Sequence, residues 1–150
     1  MKKINITISG GLGRMGSLLI KKTLQDKMLN LSSVTEQQEQ KKNGIQYKKN
    51  SIHSLKNTNV IIDFTRPHCT SEILKIATKL KKKIVIGTTG FNKKQQNEIN
   101  QASKKIAILQ SGNMSLGINL MQYLSLILSK KILQEYQMEI HDAHHKMKID

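Results

Sequence analysis

Apolar and polar residues alternate from Lys3 to Ser9, with Ile4, Ile6 and Ile8 on one side, and the run stops at the pair Gly10–Gly11. A period of two that closes on glycines predicts a strand entering a tight turn. Beyond the turn the apolar spacing changes to three and four. Met15, Leu18, Leu19 and Thr23 predict a helix from about Gly13 to Lys27, with these residues as its buried stripe. Leu29 to Thr35 predicts a second strand. Glu36 to Ser51 is rich in Gln, Lys and Asn and has no sustained apolar face, so a loop is expected, with a short strand near Ile45 to Tyr47.

Val60 to Phe64 is a compact apolar run, the pattern of a central parallel strand covered on both faces. Thr70 to Leu80 follows as a helix with Ile73, Leu74, Ile76, Ala77 and Leu80 on one side, and Lys83 to Ile86 as a short buried strand ending at Gly87. The unit repeats with a helix from Asn92 to Lys104 and a strand from Ile106 to Leu109. Strands alternating with helices in this order predict an α/β fold, a Rossmann-like doubly wound parallel sheet with right-handed crossovers. A Gly-Ser-Asn stretch from Ser111 to Gly117 then breaks the pattern and reads as a hinge. The expected division is a nucleotide domain over residues 1–112 and the start of a second, α+β mixed-sheet domain over 113–150. The latter opens with a helix from Asn119 to Lys131, carrying Leu120, Tyr123, Leu124, Ile127 and Leu128, and continues with a strand from about Gln134 to Ala143.

Composition narrows the class. With 150 residues, 37% hydrophobic and 23% charged, the chain can bury a core. No apolar run approaches the roughly 20 residues of a membrane span, and no signal-peptide pattern opens the sequence, so the expectation is a cytoplasmic protein without a membrane partner. Cys69 is the only cysteine, which excludes an internal disulfide and reads as a small, partly buried thiol. The formal charge of +15 raises a nucleic-acid partner. Against it, the lysines are scattered in pairs and triplets such as Lys21–Lys22, Lys81–Lys83 and Lys104–Lys105, and aromatic residues are only 3%, too few for a base-stacking platform. A solvated surface and no nucleic-acid partner is the preferred reading.

Gly10, Gly11, Gly13 and Gly16 lie between the first strand and the first helix, matching G-x-G-x-x-G from Gly11. Such glycines permit a tight turn and let backbone amides at a helix start approach a diphosphate; alone, they fit a plain strand-to-helix turn as well. Glu36 adds context, since it stands at the predicted end of the second strand, 20 residues after Gly16, where a ribose-binding acid belongs. An ordinary surface acid is the alternative reading. His141, His144, His145 and Lys148 cluster near the end of the sequence and, on spacing alone, fit a solvated tail. A zinc site is disfavoured there, because no cysteine joins them and only Asp142 and Asp150 could complete a ligand set.

Five ordered segments together resemble the dihydrodipicolinate reductase family: Gly10-Gly11-Leu12-Gly13-Arg14-Met15-Gly16, Ile62-Asp63-Phe64-Thr65-Arg66-Pro67, Gly87-Thr88-Thr89-Gly90-Phe91, Gly112 to Asn119, and His144-His145-x-x-Lys148-x-Asp150. The resemblance implies NAD(P)H-dependent reduction of a dihydrodipicolinate-type dicarboxylate to tetrahydrodipicolinate in lysine and diaminopimelate synthesis, by a homo-tetramer. It assigns the diphosphate to Gly10, Gly11, Leu12, Gly13, Arg14 and Met15, and the adenosine ribose to Glu36 and Gln37. The nicotinamide side falls to Gly87, Thr88 and Thr89, with Ser111, Gly112, Asn113 and Met114 closing over the cofactor. His144 becomes the proton donor, Lys148 a second donor and His145 a substrate-binding residue, with no metal. An imidazole can donate a proton at neutral pH and cations attract a dicarboxylate, so the chemistry is coherent.

Two departures shape the expectation. Gln37 stands where some members carry an arginine suited to the 2′-phosphate of NADP, so NADH is favoured over NADPH, although Lys41 or Lys42 could replace the missing cation. The family signature also continues into P-S-G-T-A, whereas this sequence ends at Asp150, which leads to the expectation of nucleotide binding with little turnover. The competing readings are a non-catalytic NAD(P)-binding module and a basic nucleic-acid binder. Only the second would bind its partner with steep salt dependence.

Overall fold

The computed structural model describes residues 2–132 together with Tyr136, Glu139, His141 and Ala143. The chain divides into two compact units, Met1–Gly112 and Asn113–Asp150. The described residues of the first unit form strands β1 (Ile4–Ser9), β2 (Leu29–Thr35), β3 (Gln40–Lys42), β4 (Ile45–Lys48), β5 (Val60–Asp63), β6 (Lys83–Ile86) and β7 (Ile108–Gln110). They make one sheet in the order β3-β4-β2-β1-β5-β6-β7, in which only β3 and β4 pair antiparallel. Helices α1 (Arg14–Gln25), α2 (Ile52–Leu55), α3 (Pro67–Lys79) and α4 (Lys93–Ser103) complete the unit. This is the predicted doubly wound α/β arrangement. Among the described residues no helix is long and apolar enough to cross a membrane.

Two apolar clusters hold it together. Ile6 and Ile8 of β1 meet Ile20, Val34 and Tyr47, while Ile61, Ile84 and Ile86 meet Ile73, Leu74 and Ala77 of α3 and Ile99 and Ala102 of α4. Each fully buried branched side chain contributes about 1.5–3 kcal/mol by leaving water, so the alternation read in β1 is also the main energetic statement of that strand. Its other face carries Thr7 and Ser9, both buried, with the Ser9 hydroxyl 2.8 Å from that of Thr35.

Several expectations change. The stretch after Glu36 is a hairpin at the sheet edge, because Asn43 and Gly44 both take positive φ (50° and 76°), the backbone of a two-residue hairpin turn. Its outer strand exposes Gln40, Lys41 and Lys42, and the two lysine charges discourage pairing with another edge, while Tyr47 of the inner strand is buried. The stripe of α1 is Gly16, Ile20 and Thr23, and Met15 and Leu18 are exposed. The helix approaches the sheet through a residue without a side chain, which a search for apolar spacing overlooks. α3 begins at Pro67, three residues before the predicted start, because a proline in the first turn has no N–H left unserved. β7 lies at Ile108–Gln110, displaced from the predicted Ile106–Leu109; Ile106 is buried in the core just before it.

In the second unit, α5 spans Leu116–Ile132 and so starts three residues earlier than expected. Ser115 sets that start: its hydroxyl accepts the Ile118 N–H at 3.4 Å and its carbonyl accepts the Asn119 N–H at 3.0 Å. Leu116, Ile118, Met121 and Leu126 lie off the predicted face, so α5 is apolar on more than one side, the pattern of a helix made to be covered. The strand expected from Gln134 to Ala143 lies largely outside the described residues.

Candidate functional site

The loops leaving β1, β2, β5 and β6 open at one carboxyl edge of the sheet. The chain winds from β1 toward β2 on one side and from β5 toward β6 and β7 on the other. The crevice at that reversal is where open α/β sheets bind ligands. Gly10, at φ 82°, makes the turn out of β1, and a Cβ there would stand 2.4 Å from the Phe64 carbonyl oxygen. A Cβ on Gly16 would stand 2.0 Å from the Gly10 carbonyl oxygen, so the first turn of α1 rests directly on the loop. Gly13 differs, for its Cβ would meet only the Gly10 oxygen, at 3.3 Å. As the N-cap of α1 it offers no side-chain hydrogen bond, and no acidic residue occupies the first turn. The first amides of α1, those of Arg14, Met15 and Gly16, therefore have no side-chain cap and carry the positive end of the helix dipole, an arrangement suited to a phosphate.

Glu36 closes the loop from the side of β2. Its N–H donates to the Lys48 carbonyl at 2.8 Å, and its Oε1 accepts the Leu12 N–H at 2.7 Å. The acid is thus fixed to the glycine loop, with its second oxygen left as an acceptor. Gln37 turns toward α3, its amide 3.3 Å from His68 Nε2 and donating to Cys69 Sγ at 3.7 Å. Gly10, Leu12, Gly13, Glu36 and Gln37 line one cavity of about 370 Å³, whose other wall is Phe64, Thr65, Arg66 and Cys69. A second cavity of about 340 Å³ shares Glu36, Gln37 and Cys69 and adds Lys49, His68 and Glu72. The larger hollow of about 510 Å³ lies between α3 and α4, away from this edge; volume alone does not nominate it.

Five sequence-predicted residues therefore share one cavity wall. Gly11 lies behind it, packed toward Val34 and Tyr47, and Arg14 and Met15 sit on the exposed first turn of α1. Gly87, Thr88 and Thr89 follow β6. Near them, Ser111 donates its N–H to the Ile86 carbonyl at 3.0 Å, and a Cβ on Gly112 would lie 3.4 Å from the Thr89 methyl. Asn113 and Met114 belong to the second unit. His144, His145 and Lys148 lie outside the described residues.

Asp63 to Arg66 carry part of the family resemblance without a role assigned to any of them. Asp63 is fully buried. Its carboxylate accepts the Thr65 hydroxyl at 2.6 Å, the Thr70 hydroxyl at 2.5 Å and the Thr88 hydroxyl at 3.3 Å. Burial raises its pKa above the ordinary aspartate value, and the three hydroxyl bonds partly oppose that shift. Phe64 lies over Gly87 so closely that a Cβ there would stand 2.2 Å from its ring. The available signal was the place of these residues, in a loop after a central parallel strand and just before a proline-started helix.

A parallel sheet wound both ways, a glycine turn under an uncapped helix and an acid at the end of the second strand together define a Rossmann-like domain. The sequence model of the family described as dihydrodipicolinate reductase, N-terminus, matches residues 4–114, and the chain belongs to that family. It is 52% identical over its whole length to the 4-hydroxy-tetrahydrodipicolinate reductase of Pelagibacter ubique (strain HTCC1062), covering 59% of that protein. With the enzyme of the same name from Buchnera aphidicola subsp. Cinara cedri (strain Cc) it shares 40% identity over 99% of the chain and 59% of the relative. The chain thus spans about three-fifths of the curated relatives it matches. Among solved structures, dipicolinate-bound dihydrodipicolinate reductase from Paenisporosarcina sp. TG-14 superposes with a TM-score of 0.72 at 20% identity, over 86% of this chain and 54% of that one, which supports the fold.

Proposed function

We propose that residues 1–112 form the dinucleotide-binding domain, and residues 113–150 the beginning of the substrate domain, of a tetrameric NAD(P)H-dependent reductase of dihydrodipicolinate-type substrates. The observation that carries the reading is the uncapped start of α1 behind Gly13, with the Glu36 carboxylate fixed across from it by the Leu12 amide. Gly10 to Met15 hold the diphosphate through backbone donors, and the free oxygen of Glu36 accepts from the adenosine ribose, with Gln37 beside it. Gly87 to Thr89, together with Ser111 and Gly112, receive the nicotinamide. When bound, the coenzyme supplies the hydride. His144 then supplies the proton, Lys148 is a second donor, and His145 binds the dicarboxylate; the resemblance of His144-His145-x-x-Lys148 to the family signature supports these roles, and the relatives' names support the reductase activity.

NADH is the preferred coenzyme. Glu36 would face a 2′-phosphate with like charge, Gln37 is neutral, and Lys41 and Lys42 lie on the outer hairpin strand and line neither cavity; Arg66 and Lys49 do line them, and they are the cations that tighter NADPH binding would implicate. Calorimetric titration of the chain with both reduced coenzymes tests the assignment. Saturable binding of NADH, tighter than NADPH, is expected. Absence of binding by either overturns the dinucleotide reading, and tighter NADPH overturns the preference alone.

A further inference from the structure

Thr88 sits in the segment assigned to the nicotinamide, yet its hydroxyl proton is committed within the fold and its side chain is buried. Its hydroxyl donates to Asp63 and its oxygen accepts the Thr65 N–H at 2.9 Å, and the residue is only 6% exposed. Asp63 in turn gathers hydroxyls from three places: the loop after β5 (Thr65), the first turn of α3 (Thr70) and the exit of β6 (Thr88). Main-chain bonds follow the same route, with the Gly87 N–H donating to the Asp63 carbonyl at 2.9 Å and the Phe64 N–H to the Ser9 carbonyl at 3.2 Å. A buried carboxylate bonded only to neutral donors is an expensive way to stabilise a fold, since its desolvation is set against weak partners. It is an effective way to fix three loops in one geometry, because each hydroxyl must point at it.

We propose that Asp63 is a positioning residue, which through the Thr88 hydroxyl and Thr65 locks the Gly87–Gly90 segment so that main-chain groups, and not the Thr88 side chain, meet the coenzyme. The proposal rests on the dinucleotide reading above and goes beyond it by giving Asp63 a role and by changing that of Thr88. It also accounts for Gly87. The segment is held against the Phe64 ring, where a side chain would have no room.

The test compares Thr88→Val, Thr88→Ser and Asp63→Asn with the unaltered chain, by amide hydrogen exchange without coenzyme and by NADH titration. Thr88→Val removes the hydroxyl at constant shape. It should speed exchange at Thr65 and at residues 87–91, and weaken NADH about tenfold, the scale of one lost bond to a charged group. Thr88→Ser, which keeps the hydroxyl, should restore most of both. Asp63→Asn, of unchanged size, should fall between them, and it keeps the question open to measurement if the valine variant does not fold. Exchange and affinity unchanged in Thr88→Val and Asp63→Asn overturn the proposal, as does a serine variant that fails like valine, which would point to methyl packing instead. Unaltered protein that takes up no NADH overturns the dinucleotide reading and this inference together. Unaltered protein that binds, with the valine variant binding equally, overturns the inference alone.

Discussion

Two parts of the same sheet edge are built on opposite plans. In the loop after β1 and at the end of β2 polar groups face outward: first-turn amides of α1 without a side-chain cap, and Glu36 using one oxygen on Leu12 and offering the other, above the buried Ser9–Thr35 hydroxyl pair. Around β5 and β6 they face one another, with Asp63, Thr65, Thr70 and Thr88 bonded into a buried knot. The first region keeps donors and acceptors without side-chain partners at the surface. The second consumes its donors internally and contributes shape. The difference teaches that, under the proposed coenzyme site, a residue can belong to a binding loop without offering its side chain to the ligand.

The strongest way to break the contrast lies within the glycine loop. Gly16→Ala drives a methyl into the Gly10 carbonyl, 2.0 Å away, and neither backbone can yield without moving α1 off the sheet. A loss of about 3 kcal/mol or more in unfolding free energy is expected, at the upper end of overpacking costs. Gly13→Ala meets one atom at 3.3 Å and keeps an ordinary backbone conformation, with φ −69°. It should cost less than about 1 kcal/mol in stability while weakening NADH, because its methyl would occupy the mouth of the proposed diphosphate site. Urea unfolding of both variants, with NADH titration of Gly13→Ala, decides the point; equal stability losses would mean that the loop has no open side.

Glu36→Ala sharpens the same region with a smaller effect. It removes the acceptor proposed for the ribose, so NADH affinity should fall by about 1.5–3 kcal/mol, tenfold or more. NADPH affinity should fall less, since the like charge facing its phosphate goes too. Stability should barely change, because water can replace the carboxylate at the exposed Leu12 amide. Calorimetry with both coenzymes and a thermal melt check it, and a large drop in melting temperature would recast Glu36 as a structural cap.

The two regions were also unequally legible in the sequence. Four glycines within seven residues, followed by an acid at a set distance, form a local pattern, and β2 has the very bounds predicted for the second strand, Leu29–Thr35. The hairpin was legible in principle through Asn43–Gly44, but the polar residues around that pair masked it. The stripe of α1 was misread because its closest contact is made by Gly16, which carries no hydrophobicity to count. The Asp63 knot was not legible. Its threonines stand 2, 7 and 25 residues away in the chain, and only the parallel pairing of β5 with β6 brings the last of them to the aspartate.

The smallest predicted effect concerns the sign of a titration at Asp63. Its folded-state pKa is raised above the unfolded value, chiefly by burial. The folded state therefore holds the proton more tightly, and the stability this contributes is fully present below the ordinary aspartate value and lost as pH rises through the folded pKa. Asp63→Asn cannot titrate. The unaltered chain should accordingly lose stability relative to the variant as pH increases through that window, with a slope of at most about 1.4 kcal/mol per pH unit. Other titrating groups are common to both proteins and cancel in the difference, so paired urea unfolding from acid to neutral pH isolates the aspartate. If the unaltered chain instead gains on the variant with rising pH, the hydroxyl bonds outweigh desolvation. The knot would then be a favourable site for charge, and the contrast between an open edge and a costly closed one would fall.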